Sequence, residues 1–182
     1  ENLKTIQKQI KQIENLVNEF SDFARMPKPL IKKNNLYELI NENINLLNKI
    51  DSDINIKLIN HLFKDSYVNF DYEQFNRLFF NLIKNSIESI QEKAEKDNKI
   101  DKNIDIEIRE RRDYIIINLL DTGIGFKNKK TKDLIKPYFT TKEKGTGLGL
   151  SIVDKIISDH NGSIKFLNQK NGAKIQIIIP SK

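Results

Sequence analysis

The 182-residue chain has no cysteine or tryptophan, one methionine, and only seven glycines and four prolines. Without cysteine it forms neither a disulfide bond nor a thiolate zinc site, a composition that suits a reducing compartment. No stretch approaches the ~20 consecutive apolar residues that cross a bilayer, and no signal-peptide pattern opens the chain. Because the first residue is Glu1 rather than methionine, we expect an excised piece of a longer protein.

The charge is moderately basic, with 31 lysines and arginines against 25 acids and a net charge of +6. The lysines are spread along the chain and interleaved with acids instead of forming one patch. Nucleic-acid binding is therefore not favoured, whereas an anionic nucleotide suits the excess of positive charge.

The first 24 residues carry a heptad seam. Apolar residues recur at spacings of three and four, at Leu3, Ile6, Ile10, Ile13, Val17, Phe20 and Ala24. So narrow a stripe predicts a helix of a bundle or coiled coil, with a helix packed on its own domain as the alternative. Pro27 and Pro29 forbid continuation, so we place a boundary there and treat 1–27 and 28–182 as separate domains.

The second domain alternates helical and strand periodicity. We predict helices over residues 36–47 and 72–93, the second capped by Asp71, and strands over 54–58, 67–71, 104–108, 114–119, 164–167 and 174–179. The last four strands form two hairpins. This order predicts an α+β fold, a two-layer α/β sandwich with a mixed, largely antiparallel sheet and helices on one face. Residues 126–146 show only one short turn, which suggests a functional lid.

Three glycines alternate with other residues in segment 145–150, directly before a segment of helical periodicity that starts at Ser151. A glycine-rich turn leading into a helix presents unpaired backbone N–H groups, and the helix N-terminus adds partial positive charge. Phosphate is the ligand that suits this arrangement, although the same glycines also fit a hinge or a tight turn.

Two further segments complete a candidate nucleotide site. Asn81 and Asn85 lie on one face of the long predicted helix, and amide oxygens suit Mg²⁺ that also binds phosphate. Asp121 opens an Asp-Thr-Gly-Ile-Gly turn at the end of a strand; a carboxylate there accepts from an exocyclic amine, which selects adenine over guanine. Gly123 and Gly125 let the backbone pass close to the base. Each segment alone also fits an ordinary turn or polar helix face, but their combination is improbable by chance.

These segments resemble the motifs of the ATP-binding catalytic domain of bacterial sensor histidine kinases, within the wider group of gyrase, heat-shock chaperone, histidine kinase and mismatch-repair ATPases. Residues 81–85 look like the N box, 121–126 the first G box, 139–142 the F box and 145–150 the second G box. Residues 1–27 look like the second helix of the dimerisation and phosphotransfer hairpin. Segments 17–27 and 137–150 resemble the nitrogen-regulation kinases, the NtrY-like branch most closely.

The resemblance implies a Bergerat-type fold, ATP and Mg²⁺ as cofactors, and transfer of the γ-phosphoryl group to a histidine for relay to an aspartate of a response regulator. It implies nucleotide contacts from Asn81, Asn85, Asp121, Gly123, Gly125, Phe139, Thr141, Lys142, Gly145, Thr146, Gly147, Leu148, Gly149 and Leu150. Asn85 would ligate Mg²⁺, with Asn81 supporting it or ligating through water.

The implied partners are a second copy of the parent chain, paired through the hairpin helices, and a response regulator receiver domain. No direct contact with nucleic acid is implied. The resemblance implies a cytoplasmic domain of a parent protein that is anchored in the inner membrane by segments outside the present chain.

The chain departs from the family in several places. The phosphoacceptor histidine of the first hairpin helix is missing, so we expect no autophosphorylation by this chain alone; His61 and His160 suit structural roles at element ends. Ser86 replaces a common alanine, which we expect to be tolerated. Glu88 stands where many kinases have a basic residue, and Lys84 points elsewhere on the helix, so neither is expected to contact phosphate.

Three alternatives stay open beside the histidine kinase. ATPases of the wider group place a glutamate at the position of Asn81 to activate water, and an amide cannot act as that general base. A serine kinase of the anti-sigma type would not need the heptad helix. A nucleotide-binding or dimerisation module without turnover would need no acceptor at all.

Overall fold

The computed structural model describes residues 2–49, 52–62, 67–97, 99–126, 131–140 and 145–181. Its elements are, in chain order, α1 (Asn2–Ala24), β1 (Lys32–Asn35), α2 (Leu36–Asn48), β2 (Asn55–His61), β3 (Tyr67–Phe70), α3 (Tyr72–Ala94), β4 (Asn103–Arg111), β5 (Tyr114–Asp121), α4 (Thr131–Leu134), α5 (Gly149–Asp159), β6 (Ser163–Gln169) and β7 (Gly172–Pro180).

A five-stranded sheet with the order β2-β4-β5-β7-β6 forms one layer of the fold. Only the β2–β4 pair is parallel; the other three pairs are antiparallel. Ile104, Ile106 and Ile108 of β4 are buried, whereas Asp105 and Glu107 between them are half-buried. This alternation places the apolar face of the sheet against the helices and leaves the polar face outside. The predicted mixed two-layer α+β fold, preceded by one long helix, is confirmed.

The long helix α3 is the central element of the helical layer. Its predicted N-cap is confirmed, since the Asp71 carboxylate accepts from the backbone N–H of Gln74 at 3.0 Å. The helix packs on α2 and α5 and buries an apolar face that consists of Phe75, Leu78, Phe79, Leu82, Ile83, Ile87 and Ile90. Because this face fixes the rotation of α3, it also fixes which polar residues face the end of the sheet where β5 stops.

Four details differ from the predicted elements. The polar segment Lys32–Asn35 is a strand that pairs with β3 in a separate two-stranded sheet. Helix α5 begins at Gly149, inside the glycine segment and before Ser151. Strand β2 runs on to His61, beyond the predicted strand over 54–58. The one short turn predicted within residues 126–146 is the helix α4.

Helix α1 uses two different faces. The described side chains of Leu16, Phe23 and the following Met26 pack against the hydrophobic core. The heptad seam from Leu3 to Phe20 stays exposed, with 45% to 76% of each seam side chain accessible. One face of α1 therefore packs on the core of its own chain, as the alternative expected, while pairing of the exposed seam with another helix stays a prediction. In the described part of the chain, no helix is long and apolar enough to cross a membrane.

Candidate functional site

Asp121, the last residue of β5, is only 7% exposed. Its Oδ1 accepts from the backbone N–H of Gly123 at 2.9 Å and its Oδ2 accepts from the Ser86 hydroxyl at 3.2 Å. Burial raises the pKa of the Asp121 carboxyl above its ordinary value; the N–H groups of Gly123 and Ala173, the Ser86 hydroxyl and the charge of Lys93 oppose that rise. The carboxyl group is thus largely shielded from solvent, but it accepts hydrogen bonds from several donors.

One face of α3 holds the loop that follows Asp121. Beyond Ser86, Ser89 Oγ accepts from the N–H of Ile124 at 3.1 Å, and Lys93 Nζ donates to the carbonyl of Thr122 at 2.8 Å. Positions 86, 89 and 93 follow the three-and-four spacing of one helix face. A Cβ at Gly123 would lie 2.2 Å from Ser89 Oγ, so only glycine allows the loop to approach α3 this closely.

The β6–β7 hairpin holds the same loop from the other side. Asn168 Oδ1 accepts from the N–H of Phe126 at 2.7 Å. Gly125 has a φ of +68°, a conformation that glycine adopts without strain. A Cβ at Gly172 would lie 1.8 Å from the carbonyl oxygen of Asp121, so this glycine permits β7 to start directly beside Asp121.

Asn81 and Asn85 meet the second glycine segment. A Cβ built on Gly149 would lie 3.3 Å from Asn81 Oδ1 and 3.8 Å from Asn85 Nδ2. The Asn81 amide nitrogen donates to the carbonyl of Arg77 at 2.9 Å, which ties the nitrogen to α3 and turns the oxygen toward Gly149. The structure therefore brings both predicted asparagines and the start of α5 together.

The end of the second glycine segment forms the N-terminus of α5. Leu148 is fully buried, Leu150 is half-buried and Gly145 is exposed. The Ser151 hydroxyl donates to the carbonyl of Leu148 at 2.8 Å. The first backbone N–H groups of a helix have no acceptor within the helix, so this end suits an anionic group.

The first half of the segment contacts the predicted lid. Gly147 has a φ of +72°, and a Cβ there would lie 2.5 Å from the carbonyl carbon of Tyr138 and 2.7 Å from the nitrogen of Phe139. Phe139 is half-buried against the core. The predicted contacts Thr141 and Lys142 lie outside the described residues. The second glycine segment thus contacts the lid through Gly147 and the two asparagines of α3 through Gly149.

Helix α1 also contacts this region. The Thr146 hydroxyl donates to Glu19 Oε2 at 2.5 Å, and the ring of Phe20 stacks on Tyr138 with centroids 6.1 Å apart. The candidate phosphate segment is therefore joined to the helix that precedes the domain, a contact that the sequence did not predict.

His160, Lys84 and Glu88, which were not expected to bind the nucleotide, make contacts within the fold. His160 is the C-cap of α5; its Nδ1 donates to the carbonyl of Ile156 at 2.7 Å and its Nε2 accepts from the N–H of Asp71 at 3.0 Å. Burial lowers the pKa of His160. Lys84 and Glu88 form an i,i+4 ion pair at 3.9 Å.

Sequence reasoning missed Ser89, Lys93, Asn168 and Gly172 as supports of the site. It noted Ser86 only as a replacement for alanine. The spacing of positions 86, 89 and 93 relative to the two asparagines was the available signal, because all lie on neighbouring faces of one predicted helix. The hairpin residues carried no such signal, since their proximity to Asp121 depends on strand order.

A buried acceptor carboxylate, paired amides and two glycine segments around one helix define a nucleotide-binding domain of the Bergerat type. Residues 70–182 match the family described as histidine kinase-, DNA gyrase B-, and HSP90-like ATPase. The chain belongs to this family, and within it to the catalytic domains of sensor histidine kinases, as its relatives show.

The chain is 32% identical over 174 residues to nitrogen regulation protein NtrY of Azorhizobium caulinodans, covering 92% of this chain and 21% of that protein. The catalytic domain of histidine kinase ThkA has a TM-score of 0.68 at 28% identity, covering 83% of this chain and 95% of that one. ThkA in complex with response regulator TrrA gives a TM-score of 0.76 at 25% identity, covering 100% of this chain and 51% of that one. The chain thus spans about a fifth of NtrY.

Proposed function

We propose that this chain is the ATP-binding phosphoryl donor of a sensor histidine kinase, which transfers the γ-phosphoryl group of Mg-ATP to a histidine for relay to a response regulator aspartate. One observation carries the proposal: a single helix, α3, contacts both glycine segments. Ser86 binds Asp121, and Asn81 and Asn85 face Gly149. A nucleotide that spans this face would meet a base acceptor at one end and phosphate donors at the other.

Asp121 is the proposed adenine contact. In its ionised form a carboxylate only accepts hydrogen bonds, so it pairs with the exocyclic amine of adenine and rejects the carbonyl of guanine. Because Asp121 is buried, binding of guanine would be unfavourable: the carboxylate would lose its hydration without gaining a hydrogen bond in exchange. Gly123 and Gly125 would let the loop backbone pass close to the base, because without side chains the loop packs tightly on α3 and on the β6–β7 hairpin.

Asn81 and Asn85 fit the Mg²⁺ that accompanies ATP. The amide nitrogen of Asn81 is engaged by Arg77, so its oxygen is the free end of the group on the side of Gly149. Hard Mg²⁺ prefers such oxygens and shares phosphate oxygens as further ligands. When bound, the ion would neutralise charge on the phosphates during transfer. The N-terminus of α5, with Gly147 and Gly149, would hold the phosphate oxygens.

The residue type at position 81 favours transfer over hydrolysis. An amide does not take a proton from water, whereas a glutamate at this position would. Asn81 therefore does not activate water near the γ-phosphoryl group, which favours transfer of that group to an incoming imidazole nitrogen. Further proposed nucleotide contacts are Phe139, Thr141 and Lys142 of the lid and Thr146 of the second glycine segment.

The proposal extends to the assembly. Residues 1–27 would be the second helix of a dimerisation and phosphotransfer hairpin, since the seam of α1 is apolar and exposed. We place the partner copy on that seam and the parent in the inner membrane through segments beyond this chain. A receiver domain is the proposed acceptor downstream; ThkA is described in complex with a response regulator.

Calorimetric titration with Mg-ATP tests the site. Replacing Asp121 by Asn turns one of two acceptor oxygens, both of which already accept from the chain, into an NH2 donor, so we expect binding to be lost. Asp105→Asn, on the polar face of the sheet, makes the same chemical change away from the site and should bind as the wild type does. Equal affinity of Asp121→Asn and wild type would contradict the proposed adenine contact.

A further inference from the structure

Ser86 is the residue of α3 whose side chain reaches the Asp121 carboxyl group. It is 2% exposed, and its hydroxyl donates to Asp121 Oδ2 at 3.2 Å. A serine within a helix often donates to the carbonyl of its own preceding turn instead. Here the donor leaves its helix and bridges to the end of a strand 35 residues further along the chain.

We propose that Ser86 is a specificity-determining positioning residue, whose hydroxyl keeps the Asp121 carboxyl group in the acceptor state that selects a 6-amino purine over a 6-oxo purine. This inference rests on the proposed function, because it assumes that Asp121 faces the base. Ser86 thereby has a role of its own, beyond that of a tolerated replacement of alanine.

The donors around Asp121 leave room for one more. A carboxylate offers about four acceptor positions. The chain fills three of them, with the N–H of Gly123, the hydroxyl of Ser86 and the N–H of Ala173. The remaining position is available to a ligand N–H, and the Gly123 and Ser86 contacts fix the plane of the carboxylate from two sides. A donor at the purine 6-position matches this arrangement, whereas a carbonyl oxygen would face an acceptor.

Protonation of Asp121 would reverse this choice, because a carboxylic acid can donate to a 6-oxo group. The groups that face the carboxyl in the described structure are Ser86 and Lys93 of α3, its own loop at Gly123, and Ala173 of β7. Burial raises the pKa of Asp121, and the Ser86 hydroxyl is among the groups that lower it. Removing the hydroxyl therefore increases the protonated fraction at any given pH.

Ser89 provides the matched contrast on the same face. Its hydroxyl oxygen accepts from the N–H of Ile124, so it holds the loop without touching the carboxyl group. Loss of Ser89 Oγ would loosen the loop toward any purine, but it would not change the hydrogen-bond character of Asp121. The two serines thus separate a role in selectivity from a role in loop support.

The test is calorimetric titration of the full 182-residue chain with Mg-ATP and Mg-ITP from about pH 5 to pH 8, since inosine replaces the 6-amino group by a carbonyl. Ser86→Ala should weaken ATP binding about tenfold and reduce the preference for ATP over ITP. It should also raise the pH below which the affinity for ATP is lost. Ser86→Thr should restore all three. Ser89→Ala should weaken both nucleotides equally with no shift in that pH, and exposed Ser158→Ala should match wild type.

An unchanged ATP-to-ITP ratio and an unchanged pH profile in Ser86→Ala would overturn the inference while leaving the proposed function intact. Absence of ATP binding by the wild-type chain, or wild-type affinity in Asp121→Asn, would overturn both. Should the alanine variant not fold, Ser86→Cys carries the same expectations, because its thiol is close in shape but a weak donor.

Discussion

Gly123 shows how closely the site is packed at the scale of single residues. A Cβ at this position would lie 2.2 Å from Ser89 Oγ and 2.8 Å from the Ser89 carbonyl carbon, so rotating the serine cannot relieve the clash. The loop backbone itself would have to move. Asp121, two residues before the glycine, and Ile124, directly after it, would then lose their hydrogen bonds to α3.

We expect Gly123→Ala to lower the free energy of unfolding by about 1–3 kcal/mol in urea denaturation and to weaken Mg-ATP binding at least ~tenfold. Gly149→Ala is the matched control, because its nearest neighbour would be Asn81 Oδ1 at 3.3 Å and α5 begins there in helical conformation. Its stability should stay within about 0.5 kcal/mol of wild type. A Gly123→Ala variant of equal stability would contradict the packing described.

The site residues that could be predicted from the sequence are those whose residue type and motif together indicate a chemical role. Asp121, Asn81 and Asn85 each stand in a spaced motif; in the structure the two asparagines lie on α3, and Asp121 contacts α3 through Ser86. Ser86 was visible only as a departure, because the partner that gives it a role is 35 positions away. Gly172 was part of a predicted hairpin turn, but its contact with Asp121 follows from β7 lying next to β5.

At the scale of elements, His160 joins the end of α5 to the start of α3. A carbonyl only accepts, so the bond to Ile156 places the proton on Nδ1 and leaves Nε2 free to accept from Asp71. The ring also packs edge-on against Phe75 with centroids 4.7 Å apart. Protonation of Nε2 would set two N–H groups against each other at a buried junction.

Stability should therefore depend on pH through His160. Its pKa is lowered in the folded state, so the unfolded chain binds the proton more readily between the folded pKa and the ordinary value of 6.5. The full contribution is present above pH 6.5 and is lost as the pH falls through that window. The slope from one proton is at most about 1.4 kcal/mol per pH unit.

Urea denaturation across this range should show the slope in wild type and a reduced slope in His160→Gln. His61→Gln removes the other imidazole of the chain, whose side chain is 53% exposed and lies 3.4 Å from the Glu107 carboxylate, and should keep the slope assigned to His160. If His160→Gln retained the wild-type slope, the acid sensitivity would have to come from another group, and the role assigned to this junction would be wrong.

The boundaries of some helices and strands could not be predicted from hydrophobic periodicity. Strand β1 consists of Lys32, Lys33, Asn34 and Asn35, which carry no apolar alternation, and it forms because β3 offers its backbone to an antiparallel partner. Helix α5 extends back to Gly149 because tertiary contacts override the low helix propensity of glycine. Long periodic segments such as α3 were predicted closely, since burial of one face decides them.

At the scale of the whole molecule, α1 links two surfaces. Its seam is exposed along Leu3 to Phe20, while Glu19 and Phe20 contact Thr146 and Tyr138 of the candidate phosphate region. The heptad pattern predicted the seam but not these contacts, because they involve the edge of the stripe and a segment more than 100 positions away. A partner on the seam would therefore lie next to the phosphate end of the proposed nucleotide site.

The central claim is that this chain donates the γ-phosphoryl group of ATP to a histidine. The most direct measurement supplies a separately expressed hairpin domain that carries the phosphoacceptor histidine of an NtrY-like relative, together with Mg-ATP labelled in the γ-phosphoryl group. We predict acid-labile label on the hairpin histidine with the wild-type chain, and none with Asn85→Ala. Label on serine, release of free phosphate alone, or ATP binding without any transfer to the histidine would contradict the claim.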